Sequence, residues 1–191
     1  MFLRFILVST LVSICAGTAM AQRPGPEFWR KVGCQPLEPR TNLERLEERY
    51  GAVIVKGFTR VESTVKFTNV DALELRDVAR PPSPISMAKG LAVFLDNNRA
   101  FIDYDDIDPL LNAIDTLSRV DETATKLTNF EARYRTQGDF EVTVFRQTRS
   151  GTAARISAGL CNEGTVSLSL DELAKLRAMI KEAKTTLDEI R

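Results

Sequence analysis

Two stretches decide how this sequence is read: AKGLAVFLDNNRAFIDYDDIDPLLNAI, residues 88–114, and ARISAGLCNEGTVSLSLDELAKLRAMI, residues 154–180. Laid over each other at a constant offset of 66 residues, they agree in pattern more than in identity. Ala88 meets Ala154, Ala92 meets Ala158, and Asp96-Asn97-Asn98 meets Asn162-Glu163-Gly164; both triplets are turn chemistry, because Asn, Asp and Gly tolerate left-handed backbone. Ile102 and Tyr104 meet Leu168 and Leu170, which preserves strand parity. Ile107, Leu110 and Ile114 then meet Leu173, Leu176 and Ile180, an apolar stripe at helical spacing. Turn, strand parity and helix stripe point the same way, as they do when one unit occurs twice.

Reading outward from this pair extends both units. Upstream of the first lie AVIVKGF, VKFTNV and DALELRDV, rich in β-branched residues and alternating in polarity. Pro81, Pro82 and Pro84 interrupt them and mark an edge or loop. Upstream of the second, NFEARYRT and DFEVTVFRQ alternate in the same manner. The expected fold is α+β: two tandem, similar antiparallel four-strand-plus-helix units, residues 52–120 and 121–191, packed as one compact body. An irregular arm and a short helix, residues 22–51, precede them. In that short helix Thr41 or Asn42 caps the start, Leu43, Leu46 and Tyr50 share a face, and Gly51 suits the residue beyond the end.

Within the first unit FIDYDDIDPLL, residues 101–111, places Asp103, Asp105, Asp106 and Asp108 in six positions. The repeat sets Asp105-Asp106 over Asp171-Glu172, the first turn of a helix in both copies. Carboxylates there accept from unpaired N–H groups and face the positive end of the helix dipole. Pro109 is expected near that helix start, where no internal N–H donor is needed. A calcium site is the competing reading, but the spacing lacks the glycine and distal glutamate of an EF-hand loop.

The first 21 residues, MFLRFILVSTLVSICAGTAMA, read as a secretory signal peptide: Arg4, an apolar stretch, then Ala19 and Ala21 at the −3 and −1 positions. The expected location is secreted or periplasmic, and no later segment is long and apolar enough to span a bilayer. Without the signal 25 basic and 26 acidic side chains remain, a balance with no general attraction for polyanions or acidic membranes. Cys34 and Cys161 also remain, and an even pair in an exported chain reads as one disulfide; two buried thiols are the other reading.

Several chemistries are missing. With no histidine there is no Ser-His-Asp or Cys-His triad and no His-ligated zinc. No phosphate-binding loop, dinucleotide fingerprint or nucleophile elbow occurs, so no catalytic residue, metal site or cofactor is assigned. A carboxylate-dependent or metal-assisted hydrolase stays formally open. Between Ala132 and Ile156 lie Arg133, Arg135, Arg146, Arg149 and Arg155 against Asp139 and Glu141, interleaved with Tyr134, Phe140 and Phe145. Arginines beside aromatics on a sheet can hold single-stranded nucleic acid; the same pattern also describes a solvated sheet face over an aromatic core.

Paired four-strand-plus-helix units ending in FIDYDDIDPLLNAI and VSLSLDELAKLRAMI resemble the Whirly and Pur-type single-stranded nucleic-acid-binding fold over residues 52–191. The resemblance is one of element order, implies a single-strand-binding role, and transfers no functional residue. Beside it stands the reading from residues alone: an exported binding or structural domain, with a sheet face or edge offered to a protein, peptide or small ligand.

Overall fold

The structure, a computed structural model, describes residues 38–79, 86–121, 123–147, 151–159 and 164–190. Helix α1, Asn42–Glu47, leads into a sheet of β1 (Ile54–Val61), β2 (Thr68–Asp77), β3 (Met87–Leu95) and β4 (Asn98–Asp103), then helix α2, Tyr104–Leu117. The second unit repeats the order with β5 (Glu131–Arg135), β6 (Phe140–Gln147), β7 (Gly151–Ala158), β8 (Gly164–Leu168) and helix α3, Leu170–Glu189. Each sheet is an antiparallel meander with strands side by side in chain order. The expected signal peptide, the arm to residue 37, Cys34, Cys161 and Arg149 lie outside the described residues.

Alternation explains how the layers stack. On β3 Leu91, Val93 and Leu95 face the main core, while Ala88 and Ala92 face the other side. The main core is shared: Val70, Val93 and Ile102 of the first sheet meet Val142, Val144 and Ile156 of the second, with the stripes of α2 and α3 between and beside them. The helices do not stay with their own sheets. α3 packs chiefly on β1, β2 and β3 of the first unit, and α2 reaches β5 and β6 of the second. The two helices run antiparallel, tied by Arg177 to Asp115 at 2.6 Å and by Lys184 to Asp108 at 3.7 Å. No helix among the described residues is long and apolar enough to cross a membrane.

The repeat is real but not gapless. The offset of 66 holds from Asn98 and Gly164 through the helix starts, where Asp103 and Ser169 are the matching N-caps. In β3 and β7 it fails. Two residues separate the paired Leu95 and Asn98, whereas five separate Ala158 and Gly164. The register therefore equates Leu91, Val93 and Leu95 with Ala154, Ile156 and Ala158, and all six face the main core. The gapless alignment puts Ala88 and Ala92 over Ala154 and Ala158, which lie on opposite faces. An odd change in loop length flips every side chain of a strand.

The other face of the first sheet is covered by α1. Leu43 and Leu46 are buried there against Leu73, Leu75, Ala88, Ala92 and Phe101, each such side chain contributing about 1.5–3 kcal/mol. Thr41 caps the helix through a capping box with Glu44. The helix stops at Glu47, one turn short of Tyr50, which is 97% exposed and adds nothing to the buried face. Pro109 sits at the sixth residue of α2, beyond the first turn, so one backbone hydrogen bond to the Asp105 carbonyl is forgone.

The β5–β6 turn closes over β4 at Gly138, where a Cβ would come within 1.9 Å of the Phe101 carbonyl oxygen and 2.9 Å of Thr41 Cγ2. Any side chain there must push apart the second sheet, the first sheet and the start of α1. Gly138→Ala is expected to lower stability by about 2–3 kcal/mol or more, measured by urea unfolding, and a change below about 0.5 kcal/mol would contradict this packing.

Candidate functional site

The four clustered aspartates do different work. Asp103 is the N-cap residue of α2, yet its side chain makes no cap bond to that helix. It turns to α1 instead, where Oδ2 accepts from Asn42 N at 2.7 Å and Oδ1 from Leu43 N at 3.2 Å. One carboxylate thus joins the end of β4 to the first turn of a helix about 60 residues earlier in the chain. Asp108 faces Lys184, and Asp105 is exposed. Among the described residues no three acidic or cysteine side chains group as metal ligands.

Asp106 and Glu172 hold matching positions in the first turns of α2 and α3 and titrate in opposite directions. Hydrogen bonds from Ser169, backbone first and then hydroxyl, hold Glu172 below the usual carboxylate range. Asp106 has no such donor. Burial, then the neighbouring Asp103 and Asp105, raise it.

A shallow cavity of about 260 Å³ opens between α1, β3 and the start of α2, lined by Leu46, Met87, Lys89, Asp103, Tyr104 and Asp105. Two of its charged groups are engaged with protein, Asp103 with α1 and Lys89 with the Tyr104 ring, 4.1 Å from its centroid, while Asp105 is exposed. The Tyr104 hydroxyl donates to Asp188 near the end of α3, and this bond raises the phenol above its ordinary value.

The arginines divide by strand parity. Arg133, Arg135 and Arg155 share the outer face of the second sheet: Arg133 pairs across with Thr143, and Thr143 with Arg155. Arg146 has the parity of Val142 and Val144 and belongs to the opposite face. Of the aromatics, Phe140 is buried in the core and Tyr134 packs against it. Phe145 is on the outer face, with the Arg155 guanidinium 5.5 Å from its ring centroid. Carboxylates meet these arginines: Asp139 bonds Arg135 at 2.8 Å and Arg40 at 2.7 Å, and Glu131 stands 3.6 Å from Arg155. Glu141, buried between them, accepts from the Thr143 hydroxyl.

The least covered element is β1, which the sequence reading passed over. Among the described residues it is an edge strand paired only with β2, and residues 55–60 are exposed along both faces. Val55 is 51% and Phe58 62% exposed. Each cation on β1 has an acidic neighbour: Lys56 stands 3.4 Å from Glu47, whose carboxylate also bonds Arg99 at 2.6 Å, and Arg60 bonds Asp71 at 2.8 Å. In sequence the signal is faint: lysine, glycine and arginine break the apolar alternation of IVKGFTRV.

Two substitutions test the aspartates. Asp103→Ala is expected to cost about 1–2 kcal/mol, with amide exchange accelerating in α1 and little changed in α2. The folded pKa of Asp106 lies above its unfolded value, so its contribution favours folding at low pH and is lost as pH rises through the folded pKa. Asp106→Asn should therefore melt higher than wild type at neutral pH, and the gap should close below about pH 4; thermal melts from about pH 3 to about pH 8 decide it, and a gap that widens in acid would refute the assignment. Comparison of the chain with protein-family models, with curated proteins and with solved structures gives no match in any of the three.

Proposed function

We propose that this chain is an exported, non-catalytic binding domain that receives an extended protein segment along β1. One observation carries this reading: an eight-residue strand that is, among the described residues, paired on one edge alone, with exposed apolar residues, Val55 and Phe58, on its two faces. Backbone groups along such an edge give affinity to any incoming strand, and alternate side chains select among strands. Natural sheets blunt their edges with proline, bulges or charged side chains. β1 has no proline and no bulge, being paired in unbroken register from Ile54 to Val61, and its two cations, Lys56 and Arg60, each have an acidic neighbour. The other edge of this sheet, β4, lies under the second sheet, where Gly138 packs on its backbone. The signal-like first residues support export, and the absence of histidine and of nucleotide motifs supports binding over catalysis.

The test is selection of extended peptides from a displayed library on the purified protein. Enriched peptides should alternate apolar residues, and selection should be lost in the Val55→Lys/Phe58→Lys variant. Both sites are exposed, so that variant should keep its stability to within about 0.5 kcal/mol per site. Selection that survives the double substitution would rule β1 out as the working surface.

A further inference from the structure

The reading of β1 as an open edge leaves its partner unspecified, and the sequence of β1 narrows the choice. Resting on that reading, we infer that the strand laid on β1 is β1 of a second copy of this chain, in an antiparallel pair centred on Thr59.

Two copies related by a two-fold axis place the same patch against itself. For side chains to stay on matching faces, the axis must pass through a residue position. Four centres lie in the exposed middle of β1. Centring on Phe58 sets Lys56 opposite Arg60 of the second copy, a like-charge pair made twice, and centring on Arg60 sets that residue against itself. Centring on Gly57 opposes Lys56 to Phe58 and brings no acidic group to either cation. Centring on Thr59 opposes Lys56 to Glu62 of the second copy and Phe58 to Arg60 of the second copy, each twice, with the two threonines face to face. Of the four registers only this one pairs unlike charges across the axis, and it also sets a guanidinium beside each exposed phenyl ring.

The local structure permits it. Glu62 follows β1 directly, is exposed, and has no ion pair within the described residues. The side chains of Lys56 and Arg60 keep 37% and 56% of their surface exposed despite Glu47 and Asp71, so both can serve a second group. Gly57 has only a distant carbonyl near its Cβ position, which leaves room for Val61 of the second copy opposite it. Paired this way, the two meanders become one continuous sheet, and Phe58 leaves water.

Sedimentation equilibrium of the purified protein should give twice the monomer mass at micromolar concentration. Glu62→Lys should weaken association at least tenfold, and the charge-exchanged Lys56→Glu/Glu62→Lys chain should restore it, which also shows that the single variant did not fail by misfolding. On mild oxidation Thr59→Cys should form a covalent dimer that Lys56→Cys and wild type do not. A wild-type chain monomeric at 100-fold higher concentration, or a dimer indifferent to Glu62→Lys, overturns the inference. The peptide selection separates the two readings: a monomer that still selects peptides through Val55 and Phe58 removes the second copy alone, and a monomer that selects none removes the edge-strand role as well.

Discussion

The first sheet has two apolar faces, and the molecule is organised around the need to cover both. Leu91, Val93 and Leu95 look one way and Ala88, Ala92 and Phe101 the other. A single helix can shield only one side, so the chain brings α1 to one face and α3 to the other, from opposite ends of the sequence. Buried apolar surface is the largest favourable term in folding, and here none of it is complete within one unit. The paired aspartate and arginine of the two long helices, and the Tyr104 hydroxyl on Asp188, fix how α3 lies once it has arrived.

Polar groups set the geometry that burial leaves open. Asp103 gives a six-residue helix, far too short to hold itself together in water, two fixed acceptors at its first turn. Asp139 adopts left-handed backbone at φ 60° and gathers Arg40 and Arg135 at the β5–β6 turn. Its counterpart before β2 is Phe67, at φ 56° and 72% exposed. An aromatic residue in that conformation costs about 1–2 kcal/mol, and among the described residues no ion pair gathers there to offset it. The two units thus share a frame, and only the second uses its turn to anchor the chain leading into α1.

Much of this was open to sequence reading, because period and parity are local. The α2 and α3 stripes, the matching helix starts and the recurrence of strands followed by a helix follow from spacing alone. The parity of Arg146 with Val142 and Val144 was also there to be read, and it removes that arginine from the face of Arg133 and Arg155. Other features depend on distant partners. Nothing near Asp103 says that it caps Asn42 and Leu43 in place of its own helix. Alanines at 88, 92, 154 and 158 look equivalent until the longer β7–β8 connection shifts the register. The exposure of β1 is equally silent, since β-branched residues suit a covered strand and an uncovered one alike.

The crossing of α3 onto the first sheet also governs timing. A ribosome delivers the first unit before α3, and until that helix emerges β2 and β3 have no lid on one face. Domains usually condense as units while synthesis continues; here the first sheet closes only once α3 is free. A protein so arranged stays unlocked until α3 has emerged, so the order of synthesis, as well as the strength of packing, decides when the first sheet closes.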